Sequence, residues 1–195
     1  MPPAVTRARS EGAAAAPAGG GGGTVLVTVG TTRFDALVRA VDDPAVAEAL
    51  AASGFTELVI QVGAGEYRPQ RLLPPDAPGR AGMAAGGLRV SWFEFLPSLA
   101  ERMAAADLVI SHAGSGSVFE ALAASKALIA VPNAALMANH QAELAGALAG
   151  MRHCFTTPPE RLLATLQRMD LSTLAPYPKG DPAAIVQEID RLVGI

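Results

Sequence analysis

A single cysteine, Cys154, stands in 195 residues, which leaves no intrachain disulfide framework and suits a reducing compartment, so the chain reads as cytosolic. Excess positive charge is missing too. Fifteen basic residues against 18 acidic ones give a net charge of −3, and nothing in that balance draws the chain to a phosphate backbone or an anionic membrane. No nucleic-acid partner is expected. The most apolar stretch, 118–138, is broken by Glu120, Lys126, Pro132 and Asn133, whereas a membrane span needs about 20 mostly apolar residues. Arg7 and Arg9 precede no apolar run, which argues against a secretory signal, and a transit peptide is disfavoured because that class wants many serines and an amphipathic helix.

Several site motifs are absent as well. The three histidines, His112, His140 and His153, come with no cysteine pair and no His-x-x-x-His spacing, so no structural zinc site is expected. Cys154 directly follows His153, and neighbours on a strand point to opposite faces, which excludes a Cys–His nucleophile pair and leaves Cys154 as a small core residue. Neither G-x-x-x-x-G-K-[ST] nor G-x-S-x-G occurs. A dinucleotide fingerprint would need its third glycine where Phe119 stands, and the first βα turn, Gly30-Thr31-Thr32-Arg33, holds one glycine. The second strand ends Ile60-Gln61-Val62 without the acid that holds a ribose. No cofactor and no metal are expected.

What is present reads as one α/β domain behind a tail. Residues 1–23 contain 7 Ala, 6 Gly and 3 Pro, a composition that cannot build a core and is expected to be disordered. About 172 residues remain, enough to bury roughly 70% of the unfolded surface. TVLVTVG (24–30), ELVIQVG (57–63), LRVSWF (88–93), DLVIS (107–111) and ALIAV (127–131) are buried-strand runs. Between them lie helical segments near 34–41, a second piece capped by Asp43 with Pro44 at its first position, 97–105, 118–124 and 139–148. Residues 159–168 and 182–193 make two further helices, while 63–87, with 6 Gly and 4 Pro, reads as a long surface loop. This alternation predicts a single Rossmann-like, doubly wound parallel sheet over 24–195.

In such a sheet, ligands bind beyond the carboxyl ends of the strands, near the switch in strand order. Four loops qualify: 30–35, 93–97, 112–117 and 132–141. In the third, Gly114 and Gly116 lie between a buried strand and a helix start, where unpaired N–H groups and the helix dipole suit a phosphate. The same residues also fit a plain turn, with Ser117 as N-cap and Glu120 as its capping-box partner. In the fourth loop Asn139, His140 and Gln141 crowd three hydrogen-bonding side chains that suit sugar hydroxyls, unless Asn139 is only an N-cap. A lone Phe such as Phe95, between a strand and Pro97, is more often a core residue than a ligand platform.

Together the loops resemble a known family. VTVGTTRFDALV, DLVISHAGSGS, LMANHQAELA and the closing MDLSTLAPYP are similar to the catalytic subunits of two-subunit UDP-N-acetylglucosamine transferases of dolichol-linked oligosaccharide synthesis, of the family 28 C-terminal domain type. More distantly the chain is similar to the donor-binding half of the bacterial transferase that makes the peptidoglycan lipid intermediate. The resemblance implies the C-terminal half of an inverting GT-B enzyme. It implies that Gly30, Thr31 and Thr32, with Gly114, Ser115, Gly116 and Ser117, hold the diphosphate of UDP-GlcNAc. It further implies that Phe95 lies beside the uracil, that the Leu96 backbone reads the base edge, that Glu120 binds the ribose, and that His140 and Gln141 meet the GlcNAc hydroxyls. It implies an acceptor, GlcNAc-diphosphodolichol, met largely through a membrane-anchored partner in a heterodimer at the cytosolic face of the endoplasmic reticulum. No convincing base stands beside the glycine turn in the sequence, so the general base is expected outside this chain. His112 belongs to the motif and is the one weak catalytic candidate. Rival readings are an epimerase or hydrolase of UDP-GlcNAc and a non-catalytic nucleotide-sugar-binding subunit. One departure from the family stands out: Ser125-Lys126-Ala127 replaces the usual Gly-Lys-Pro.

Overall fold

The computed structural model of the protein describes residues 22–74, 77, 80–134 and 140–178. The expected tail, apart from its last two residues, the helix at 182–193 and Asn139 lie outside the described residues. The apolar runs form strands β1 (Gly23–Thr28), β2 (Phe55–Gln61), β4 (Arg89–Phe93), β5 (Leu108–Ser111) and β6 (Ala127–Ala130), all parallel. Two short strands complete the sheet. β3 (Ala81–Met83) pairs antiparallel to β4, and β7 (Phe155–Thr156) pairs parallel to β6. The order β3-β4-β2-β1-β5-β6-β7 places the switch between β1 and β5: the chain builds outward from β1 on one side, then returns to build on the other.

Helices cover both faces because every central strand is apolar on both. Val25, Val27 and Val29 join one core layer with α1 (Asp35–Val41), α2 (Pro44–Ala52) and α6 (Leu162–Arg168). Leu26 and Val109 join the opposite layer with α3 (Ala100–Ala105), α4 (Ser115–Ala123) and α5 (His140–Gly150). Each fully buried Leu or Ile contributes about 1.5–3 kcal/mol before the entropy of ordering it is counted. The Asp43 cap forms as expected: Asp43 Oδ1 accepts from the Ala45 N–H at 2.9 Å, with Pro44 opening α2. Cys154 is buried, and burial pushes its thiol up to about 11. Among the described residues no helix is long and apolar enough to cross a membrane.

The structure corrects the reading of 63–87 as a bare loop. Beyond β3, this segment buries Tyr67, Leu72 and Leu73 and is tied down by two carboxylates at the ends of α1. Asp42, fully buried, accepts from the Tyr67 hydroxyl at 2.5 Å and from the backbone N–H groups of Gln70 (2.8 Å), Arg71 (3.0 Å) and Leu72 (2.9 Å). Asp35 accepts from the Tyr67 N–H at 3.1 Å. A buried carboxylate is tolerable only when so saturated with donors. Burial, and then the bond to Asp42, push the Tyr67 phenol up to about 12. Helix boundaries differ as well. The expected helix 97–105 begins at Ala100, and the first turn of 159–168 is a 3₁₀ turn, Pro159–Arg161.

Candidate functional site

The carboxyl ends of β1 and β5 converge on His112. His112 is 7% exposed, and its ring lies between two glycines: a Cβ on Gly114 would lie 2.2 Å from His112 Nε2, and one on Gly30 would lie 2.6 Å from His112 Cε1. Glycine is therefore required at both positions by space, and at Gly30 also by its φ of +62°. Between the histidine and Gly114, Ala113 holds a left-handed φ of +59°, a conformation that costs a non-glycine residue about 1–2 kcal/mol. Burial lowers the His112 pKa below its ordinary 6.5, so the ring is neutral at pH 7. Its Nδ1 and the Ser111 Oγ are the buried side-chain atoms left without a hydrogen-bond partner among the described residues.

Helix α4 starts at Ser115, three residues earlier than the hydrophobic pattern suggests, and this decides against the capping box. Gly114 occupies the cap with no side-chain bond, and Ser117 is already in the first turn. The Val118 N–H reaches the Gly114 carbonyl at 3.0 Å, whereas the N–H groups of Ser115, Gly116 and Ser117 have no acceptor within the helix. Three N–H groups at the positive end of a helix dipole lie beside an imidazole whose Nδ1 has no hydrogen-bond partner among the described residues, an arrangement that suits an anion. Glu120, exposed one turn on, is released from the capping role.

The other expected site residues among those described follow the carboxyl ends of β1, β4 and β6, on the same edge of the sheet as the α4 turn. Thr32 donates its hydroxyl proton to the Val29 carbonyl at 2.9 Å and so closes its own turn, while Thr31 is exposed beside it. Phe95 is 52% exposed and Leu96 39%, on the loop after β4, which overturns the default of a core phenylalanine. Gln141 turns back so that its Oε1 accepts from the Asn133 N–H at 3.1 Å. His140 is exposed, 3.8 Å from Glu143. The left-handed turn expected of a glycine before β6 is kept by Ser125 at φ +56°.

Three supporting residues were not anticipated. Thr28 donates to Gln61 Oε1 at 2.6 Å across β1 and β2, and its hydroxyl accepts from the Gly30 N–H at 3.2 Å, which joins the sheet interior to the glycine turn. A visible sign exists: each strand carries one polar residue in an apolar run, two places before its closing glycine, in Thr28-Val29-Gly30 and Gln61-Val62-Gly63. Asn133, buried, donates through Nδ2 to the Arg33 carbonyl at 3.2 Å and fastens the fourth loop to the first.

Residues 24–192 match the glycosyltransferase family 28 C-terminal domain. The chain belongs to that family. UDP-N-acetylglucosamine transferase subunit ALG13 of Eremothecium gossypii is 35% identical over 173 residues, covering 80% of this chain and 85% of the relative. The human protein of the same name is 37% identical over 131 residues, 67% of this chain, and the matched part is 11% of its own length. The family 28 chain thus spans about a tenth of that longer relative. Among solved structures, the NMR solution structure of ALG13 superposes with a TM-score of 0.61 at 26% identity, over 85% of this chain and 94% of that one. The crystal structure of Acinetobacter baumannii MurG shares the fold at a TM-score of 0.51 and 22% identity, with 77% of this chain matching 42% of that one. The matched part is under half of that chain, a single shared Rossmann-like unit.

Proposed function

We propose that this chain is the donor-binding subunit of a UDP-N-acetylglucosamine transferase, which transfers GlcNAc with inversion from UDP-GlcNAc to GlcNAc-diphosphodolichol. The observation that carries the reading is the buried His112 wedged between Gly30 and Gly114 behind the open first turn of α4. In this reading the N–H groups of Ser115, Gly116 and Ser117, the Ser hydroxyls and Thr31 hold the diphosphate. Phe95 and Leu96 flank the uracil, Glu120 meets the ribose, and His140 and Gln141, with Asn139, meet the sugar.

The acceptor hydroxyl oxygen bonds to the sugar C1 from the face opposite the diphosphate, the C1–O bond to phosphate breaks, and UDP leaves with the electron pair. Fixed N–H dipoles already aimed at the phosphates stabilise the developing charge without reorganisation. His112 is buried behind the two glycines, so in this reading it shapes the phosphate site and lies out of reach of the acceptor's proton. That proton goes to a base supplied by a membrane-anchored partner subunit, which also brings the lipid acceptor and holds this chain at the cytosolic face of the endoplasmic reticulum.

The test is a transferase assay with UDP-GlcNAc and GlcNAc-diphosphodolichol, with and without the membrane partner. Transfer only in the presence of the partner, abolished by disrupting the glycine crevice, is the expected result. Full activity of the chain alone contradicts the division of labour, and donor turnover without any lipid acceptor points instead to an epimerase or hydrolase. Transfer by the assembled complex that is indifferent to Glu120→Ala and Gln141→Ala points to a non-catalytic subunit.

A further inference from the structure

A second concave surface adjoins the glycine crevice. It is a cleft of about 640 Å³ between α1 and the segment after β2, lined by Arg33, Arg39, Arg68 and Arg80 together with Tyr67 and Trp92. Four guanidinium groups around one cleft invert the sign of a chain whose net charge is −3. They are also held in place. Arg80 lies 4.4 Å and Arg68 5.6 Å from the centre of the Trp92 ring, Arg39 lies 3.9 Å from that of Tyr67, and Arg68 donates to the Gly65 carbonyl at 2.6 Å. Stacked guanidiniums lose little freedom when they take a phosphate oxygen pair.

Three carboxylates face these four cations: Asp35 and Glu66 pair with Arg33 at 3.1 and 2.6 Å, and Glu94 pairs with Arg68 and Arg80 at 3.3 and 3.7 Å. Arg39 forms no ion pair among the described residues. The Arg33 and Glu66 side chains are 55% and 77% exposed, and ion pairs so open to water are weak. An anion with several oxygens displaces them. The segment does not depend on these pairs for its shape, because Asp35 and Asp42 already take its backbone N–H groups. The cleft and the crevice share one loop: Arg33 follows Thr31 and Thr32 directly, and a Cβ on Gly63 would lie 2.9 Å from the Thr32 carbonyl.

We infer that this arginine cleft binds the diphosphate of the lipid-linked acceptor, a second anion site on the same chain as the donor site. The inference rests on the transferase reading above. An acceptor sugar stands between its diphosphate and its attacking hydroxyl, so a site beside the donor cradle, rather than within it, is where that diphosphate belongs.

The experiment saturates the full chain with UDP-GlcNAc and titrates it by calorimetry with inorganic pyrophosphate and, separately, with a soluble short-chain prenyl diphosphate. Both ligands are expected to bind without displacing UDP-GlcNAc, the prenyl form at least as tightly. Arg39→Ala with Arg80→Ala weakens that binding at least tenfold and leaves UDP-GlcNAc affinity within twofold. Glu66→Gln, an exposed change that leaves the fold intact, tightens it severalfold by releasing Arg33. Absence of the second binding event, displacement of UDP-GlcNAc, indifference to Glu66→Gln, or loss of binding when the prenyl group is attached each overturns the inference. If UDP-GlcNAc itself does not bind, the transferase reading fails, while the pyrophosphate titration and its arginine variants still judge the cleft.

Discussion

The glycine crevice and the arginine cleft lie on either side of one loop, yet different forces hold them. The crevice is a packing device: His112 fills the space that two missing side chains leave, and no hydrogen bond fixes its Nδ1. The wall of the cleft is a hydrogen-bonding device, in which Asp42 and Asp35 gather the N–H groups of a segment with few apolar residues. One is therefore vulnerable to a single added methyl group. The other is vulnerable to the loss of a charge with no change in shape.

The largest effect is expected at Gly114. A Cβ 2.2 Å from the ring forces His112 or the α4 start to move, so Gly114→Ala lowers stability by about 2–3 kcal/mol and UDP-GlcNAc affinity more than 100-fold, read by thermal melting and calorimetry. Asp42→Asn keeps the shape and removes the charge. Leaving three backbone donors and a phenol poorly matched costs about 2–4 kcal/mol, a Tm fall of roughly 5–10 °C for a domain of this size, with UDP-GlcNAc affinity changed less than threefold. If Asp42→Asn instead abolishes donor binding, the two regions are not separate devices.

The pH dependence comes next. Because burial lowers the His112 pKa from 6.5, the unfolded chain takes up that proton first as pH falls. Stability is therefore flat above about pH 7, declines as pH drops below 6.5, and levels off below the folded-state value. A bound diphosphate favours the protonated ring, so UDP-GlcNAc should raise Tm more at pH 6 than at pH 8. Melts with and without ligand in His112→Phe should lose that difference. The smallest effect is a control outside both regions: Ser125→Gly relieves a left-handed φ of +56° and should stabilise by about 0.5–1 kcal/mol without altering binding.

Five of the seven strands were legible because they are apolar runs, most of them rich in β-branched residues, and Asp43-Pro44 announces a helix in two residues; β3 and β7, at three and two residues, are too short to carry such a pattern. The crevice was legible in outline, since glycines between a buried strand and a helix have few uses. Its helix start was not, because Ser117 and Glu120 mimic a capping box that the chain does not use. The segment after β2 was opaque for a different reason. Its order comes from Asp42, whose backbone partners lie 28 to 30 residues away, and a carboxylate that gathers distant N–H groups leaves no local periodicity. Phe95 misled because the exposure of an aromatic depends on how the loop beyond β4 packs, which the residue type alone does not carry.

The most direct measurement uses Gly116, where an added Cβ meets nothing within 4 Å. Alanine is the better helix former by up to about 1 kcal/mol, so Gly116→Ala should keep or raise Tm. If the first turn of α4 holds the diphosphate through its N–H groups, the same methyl obstructs the approach, and UDP-GlcNAc affinity falls at least tenfold in a fully folded protein. A higher Tm with unchanged UDP-GlcNAc affinity would contradict the account.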